Sequence, residues 1–275
     1  MNLSRLKRVP VLLSVMMMAL PMMVSAQTPP ETKIKTVPPS PARLADGKPN
    51  WTGFWVPVGG MMEVYRGPSF LLRPAGATGP SGPPPVRHAP LKSPYKEQYE
   101  KILAERAAGQ VGFDPSALCL PSGMPRMMGM IYGMELLQTA GQITITSEFM
   151  STSRRIWLDM KSHPDPEELD PTFAGHSIGH WEGDTLVVDT VGVREDVRLD
   201  NTNMPISDKL HIVERFTQIE PGILQNEITI DDPKVFEAPW KQVRTYRYRP
   251  DLRLQEFVCT DNNRNVGADG APSFH

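Results

Sequence analysis

The feature that most constrains the fold is an alternation of apolar and polar side chains with a period of two residues. It occupies most of the chain after Met134, in short runs separated by turn residues such as Glu182-Gly183-Asp184, Pro221-Gly222 and Pro250-Asp251. The runs lie at 143–149, 155–159, 186–190, 210–216, 228–230, 246–248 and 254–258. Seven or eight short strands joined by tight turns predict a mainly β fold, an antiparallel meander that forms a barrel or a strongly curved sheet.

One helix is also predicted, ahead of the strands. Ser93 can cap it, Pro94 stands at the first helical position and Gly109 can end it. Its apolar stripe at helical spacing consists of Tyr95, Tyr99, Ile102 and Leu103. We expect this N-terminal helix to pack that stripe on the sheet.

The first 26 residues have the composition of a secretory signal peptide. Basic residues at 5, 7 and 8 precede an apolar run at 9–23, and small residues at 24–26 offer a cleavage site before Gln27. The run is short for a membrane span. The sequence therefore predicts a periplasmic or secreted protein with no membrane anchor in the mature chain.

After the signal peptide, the sequence predicts a tether and one domain. Residues 27–49 are polar and proline-rich, which predicts an extended tether, and residues 50–275 are predicted to form a single β-rich domain. Within that domain, a Pro/Gly-rich stretch at 67–90 predicts a long surface loop.

Charge and cysteine content restrict the partners and the compartment. The net charge of −2 becomes about −5 without the three signal-peptide cations, and no basic stripe remains, so nucleic acid is not expected as a partner. The two cysteines, Cys119 and Cys259, both lie in the exported part. In an oxidising compartment they favour a disulfide, and two separate buried thiols are the alternative.

The segment 171–190 carries the greatest density of residues capable of proton transfer. His176, His180 and Asp189 fall within it, and we take His176 and Asp189 as candidate catalytic residues. The structural alternative is a hairpin whose turn follows a packed Trp181. Ser177 occupies the centre of a Gly-x-Ser-x-Gly pattern, but a turn and a strand follow it, whereas a serine nucleophile elbow requires a helix.

A second candidate group lies on the strand predicted at 210–216. His211 and Arg215 share one face, and Glu214 lies on the other. His211 and Glu214 are candidate catalytic residues, and the sequence leaves open which face is internal. The spacing of the histidines matches no standard short zinc motif, so no metal and no cofactor are predicted.

Six residues are predicted to contact a small organic ligand. Methionines are dense between 124 and 134, where they can line an adaptable apolar pocket or fill the core; thioether binding of Cu(I) is a weaker alternative. The predicted ligand-binding residues are Met127, Met128, Arg155, Trp157, Trp181 and Arg215.

Several of these segments together resemble a family of exported bacterial proteins. The motifs that carry the resemblance are Cys119–Arg126, Arg154-Arg155-Ile156, the Gly-His-Ser-Ile-Gly-His-Trp-Glu-Gly-Asp run at 175–184 with its continuation to 190, Leu210–Phe216, Ile230–Pro233 and Pro239-Trp240. The resemblance spans about 51–264 and implies a calycin-like, lipocalin-like or otherwise barrel-shaped fold. It transfers no catalytic residues. One departure is Asp159-Met160-Lys161, where the family usually has Asp-Gly-Arg.

Two functions follow from these observations. The first is binding of a small lipophilic or aromatic molecule in a barrel cavity lined by Met and aromatic side chains. The alternative is a cofactor-independent lyase, isomerase or hydratase in which His176 or His211 is the base. The alternative requires both histidines to meet near a carboxylate.

Overall fold

The alternating runs form the wall of a barrel. The computed structural model describes residues 43–58, 89–108 and 114–260, and in it nine strands follow one another in chain order until the last pairs with the first. The strands are β1 (Gly53–Pro57), β2 (Met134–Gln138), β3 (Gln142–Ser147), β4 (Ser153–Trp157), β5 (His176–Glu182), β6 (Thr185–Val191), β7 (His211–Glu220), β8 (Ile223–Asp231) and β9 (Trp240–Tyr248). The predicted mainly β barrel is confirmed.

One strand pair departs from the predicted antiparallel meander. β4 and β5 are parallel, with Ile156 opposite Ser177 and Trp157 opposite Ile178. Parallel neighbours require a crossover connection. Residues 158–175 form it, and the crossover brings a loop against the outside of the barrel.

The strand predicted at 254–258 is wrong. These residues form no strand, since β9 pairs with β1 through Trp55–Tyr248 and β8 flanks its other edge. A closed barrel leaves no free edge for a further strand.

Alternation along the strands sorts the side chains between the interior and the outer face. On β7, Ile212, Glu214 and Phe216 are buried inside, and His211 and Arg215 point outward. The face left open by the sequence is thereby assigned: the interior is the Glu214 face.

The predicted helix is confirmed as α1 (Tyr95–Ala107), which begins directly after Pro94. Tyr99 is buried in the main hydrophobic core, and Tyr95 and Leu103 pack against that core. These three residues are four apart and therefore share one helical face.

A disulfide joins Cys119 to Cys259 across a sequence separation of 140, as predicted. Such a bond is consistent with export. Three predicted segments lie outside the described residues: the signal peptide expected at 1–26, the tether up to residue 42 and the loop from 67 to 88. Among the helices of the described residues, none is long and apolar enough to cross a membrane.

Candidate functional site

Four titratable side chains form a hydrogen-bonded chain on the outer face of β5, β6 and β7. Asp189 Oδ1 lies 2.9 Å from His211 Nε2 and 3.1 Å from His163 Nε2. His163 Nδ1 lies 2.8 Å from His176 Nδ1. We call this set, His211–Asp189–His163–His176, the histidine chain.

Three strands and the crossover position these side chains. His176, Asp189 and His211 occupy outward positions, because their neighbours Ser177, Thr190 and Ile212 are completely buried inside. The crossover supplies His163.

A glycine fixes the chain direction just before His176. Gly175 has a φ of +69°, and a Cβ on it would lie 2.8 Å from the carbonyl oxygen of Val191. Only glycine fits this close approach without strain. Any larger residue here would displace the start of β5 and the imidazole of His176 with it.

The hydrogen-bond pattern determines the tautomers when each ring carries one proton. The Asp189 carboxylate accepts, so His163 and His211 must both donate from Nε2. The Nδ1 atom of His163 is then an acceptor, and His176 must donate to it from Nδ1. This arrangement leaves basic lone pairs on Nε2 of His176 and on Nδ1 of His211.

The surroundings of the two terminal histidines, His176 and His211, shift their pKa values in opposite directions. Burial, together with the neighbouring His163, lowers the pKa of His176 below its ordinary value of 6.5. The hydrogen bond to Asp189 raises the pKa of His211, with its partial burial opposing the shift. For Asp189, burial favours the neutral form, but hydrogen bonds and charge from His211 and His163 outweigh it and lower the pKa.

Glu214, the fourth candidate catalytic residue, lies on the opposite side of the barrel wall. It is 0% exposed, and its Oε2 accepts from Arg154 Nη2 at 2.5 Å. Asn226 Nδ2 donates to its other oxygen at 2.8 Å. Arg154 also donates to Ser177 and Thr190. The buried Ser177 is thus part of this interior network.

Five of the six predicted ligand-binding residues fall into two groups. Arg155, Trp157 and Arg215 share the outer face with the histidine chain, and Arg215 donates to Glu182 at 2.8 Å. Met127 and Met128 are buried in the core, where Tyr246 Oη donates to the Met128 carbonyl at 2.6 Å.

The sixth residue, Trp181, packs at the end of the barrel wall near the β5–β6 turn. Its ring centroid lies 5.0 Å from that of Trp51. Beside it, Arg43 pairs with Asp184 of the turn, so the last residues of the predicted tether contact this end of the barrel.

His163 is a member of the histidine chain that the sequence analysis did not identify. It lies in a crossover without periodicity, next to Pro164, and its partners are 13 and 26 residues away. One feature of the sequence could have indicated His163. It is a histidine in the connection between β4 and β5, and the outward positions of these two strands carry candidate residues.

Among the described residues, no group of three or more His, Cys, Asp or Glu side chains has the geometry to hold a metal ion. The histidine chain is extended because His163 uses one ring nitrogen toward His176 and the other toward Asp189. Its hydrogen bonds form a continuous route along which a proton can be passed.

A cavity of about 560 Å³ lies elsewhere, beside α1. Leu91, Tyr99 and Leu103 contribute apolar surface, and Glu100 and Glu237 contribute carboxylates. Tyr99 Oη pairs with Thr202 Oγ1 at 2.6 Å, which fixes the phenol at the cavity wall.

Comparison with known proteins adds little to this picture. No family model matches the chain, and no curated protein matches it either. Among solved structures, it is similar to a secretary abundant heat soluble (SAHS) protein from Ramazzottius varieornatus, at 10% identity, over 49% of this chain and 82% of that one, with a TM-score of 0.28. A likeness of this size supports no conclusion about fold or function. The calycin-like classification and the family of exported proteins stay predictions.

Proposed function

We propose that this protein is an acid–base enzyme of the lyase, isomerase or hydratase type, with the histidine chain as its active site. The observation that carries the proposal is the hydrogen-bonded chain itself, in which Asp189 bonds to His211 and His163, and His163 bonds to His176. The surroundings of the two terminal histidines shift their pKa values in opposite directions. Environments that push two titratable groups apart are how enzymes assign base and acid at one pH. The site lies on the outer face and not in the barrel interior.

In this proposal His176 is the base. Its lowered pKa keeps the ring neutral near pH 7, and its lone pair on Nε2 is available to a substrate proton. When Nε2 takes that proton, the Nδ1 proton can move onto His163 Nδ1, and the positive charge then lies next to Asp189. Asp189 thereby stabilises the imidazolium without contacting the substrate.

His211 is the acid. Asp189 favours its charged form, so that it holds a proton at a pH where His176 does not. β6 separates β5 from β7, which puts the two strand backbones about 10 Å apart. A substrate lying across β6 could therefore lose a proton on one side and gain one on the other.

Solvent isotope exchange tests the proposal without knowledge of the natural substrate. The protein is incubated in D₂O with a library of small carbonyl compounds and carboxylic acids, and deuterium incorporation at carbon is followed by mass spectrometry. We expect the wild type to label at least one compound, and His176→Gln to slow labelling by about 10²–10⁴-fold.

His180→Gln is the matched control. His180 lies on the same outer face of β5, is well exposed, and is outside the histidine chain. It should label at the wild-type rate. A library in which nothing is labelled, or equal rates for wild type and His176→Gln, would contradict the proposal.

The cavity beside α1 supports a second candidate, binding of a small lipophilic or aromatic molecule. Its volume of about 560 Å³ is within the range of ligand pockets, and its wall combines apolar and charged groups. Leu103→Glu should abolish binding of the anionic dye 1-anilinonaphthalene-8-sulfonate, and Gln98→Glu, exposed on the same helix, should not. Equal dye binding by both variants would reject this pocket.

A further inference from the structure

Arg155 lies next to His176 on the outer face of the barrel. Ile156 is 0% exposed and faces the interior, so its neighbours Arg155 and Trp157 face outward. Because Ile156 pairs with Ser177 in a parallel register, one step back along both strands places Arg155 beside His176. Neighbouring strands are about 4.8 Å apart. The Arg155 side chain is therefore adjacent to the base, on the side away from Asp189.

The guanidinium of Arg155 is available to an external anion. Arg155 is exposed, and no other described residue forms an ion pair or side-chain hydrogen bond with it. The other outward arginine of this surface, Arg215, is already held by Glu182 at 2.8 Å. A free guanidinium offers two parallel N–H donors that match a carboxylate.

An apolar row runs directly beside Arg155. Trp157 pairs with Ile178, and Ile178 pairs in turn with Asp189 of the histidine chain. Residues two apart on a strand are separated by about 7 Å, so the indole lies one such step from Arg155. A molecule with an anionic end and a flat apolar body would contact both.

We infer that the substrate of the histidine chain is an organic carboxylate with an apolar, aromatic body. Arg155 binds the carboxylate, Trp157 and Ile178 pack against the body, and His176 Nε2 faces the carbon next to the carboxylate end. Arg155 is a binding and specificity residue in this assignment. The inference rests on the proposed acid–base function and adds the class of substrate to it.

A matched pair of probes tests it. Phenylacetate and phenylacetamide have the same size and ring, but only the first carries a charge. Their binding is followed by NMR through the imidazole signals of His176. We expect phenylacetate to bind at least tenfold more tightly than the amide, and Arg155→Gln to remove that preference. Trp157→Ala should weaken both probes equally.

Arg247→Gln is the control, since Arg247 is an exposed arginine on β9, away from β5 in the strand order. It should keep the preference of the wild type. Equal affinities for the two probes, a preference retained by Arg155→Gln, or the absence of phenylacetate binding at millimolar concentration would each overturn the inference.

These results can be separated from failure of the proposed function. Isotope labelling of neutral carbonyl compounds alone, without binding of phenylacetate, would leave the acid–base function standing and reject the carboxylate. Arg155-dependent binding of phenylacetate without labelling of any library compound would retain the anion site and reject the catalysis.

Discussion

Removing one partner of the Arg154–Glu214 pair should be among the most damaging changes in the chain. The two side chains are 1% and 0% exposed, and their N–O distance is 2.5 Å. Glu214→Leu removes the acceptor of two hydrogen bonds and leaves the Arg154 charge inside the barrel. A buried charge left without its partner costs about 3–5 kcal/mol of unfolding free energy. Arg154→Met should cost a similar amount.

The double variant distinguishes the energy of the Arg154–Glu214 ion pair from general damage to the barrel interior. Arg154→Met with Glu214→Leu has no buried charge, and Ser177 and Thr190 can still bond to each other, as they do at 2.9 Å. The remaining loss is the partner of the Asn226 amide, which costs about 1–3 kcal/mol. The double variant should therefore be more stable than either single variant, with a coupling energy of about 3 kcal/mol or more.

Guanidinium denaturation followed by tryptophan fluorescence measures these free energies. Glu227→Leu is the matched control, because Glu227 pairs with Lys241 at 2.6 Å on the outer face of neighbouring strands. It should cost about 1 kcal/mol or less, as surface pairs do. Additive effects of the two interior substitutions, or single effects as small as the control, would refute the reasoning.

Two further predictions concern pH and the disulfide. In an NMR titration, His211 should titrate above 6.5 and His176 below it, and Asp189→Asn should lower the pKa of His211, whose rise it causes. The stabilisation from His211 is complete below its ordinary pKa and disappears as pH rises through its raised folded value, and that from Asp189 disappears as pH falls through its lowered one. A His211 pKa unchanged by Asp189→Asn would exclude this pairing. Replacing Cys119 and Cys259 by serine should reduce the unfolding free energy by about 5 kcal/mol in the chain-entropy model for a loop of 140 residues, measured by denaturation with and without a reductant. A reductant that destabilises the double serine variant as much as the wild type would contradict this assignment.

The barrel could be predicted because each strand encodes its own two faces. Ile143 and Ile145 on β3, or Leu186 and Val188 on β6, identify the buried side without reference to any other strand. The parallel pairing of β4 with β5 could not be predicted in this way. It depends on how the crossover at 158–175 packs, and that segment has neither periodicity nor a helix pattern.

Part of the candidate site could also be predicted from the sequence. The sequence identifies His176, Asp189 and His211 as residue types capable of proton transfer, and the structure joins the two histidines through Asp189 and His163. The role of Glu214 was harder to predict, because both faces of β7 carry charged groups. Only the position of Arg154 on a distant strand shows that the interior can accept a carboxylate.

The position of the disulfide has a consequence for how the barrel can be opened. Cys119 and Cys259 enclose β2 to β9 in one covalent ring, but β1 lies before Cys119 and outside that ring. A single backbone cleavage within the ring leaves all the strands in it on one molecule. A cleavage between Pro57 and Cys119 leaves β1, with the buried Trp51 and Trp55, attached by noncovalent contacts alone. A protease acting in that interval would thus convert the closed barrel into two fragments held together by noncovalent contacts. The smaller fragment, which contains β1, could be dissociated with denaturant and added back.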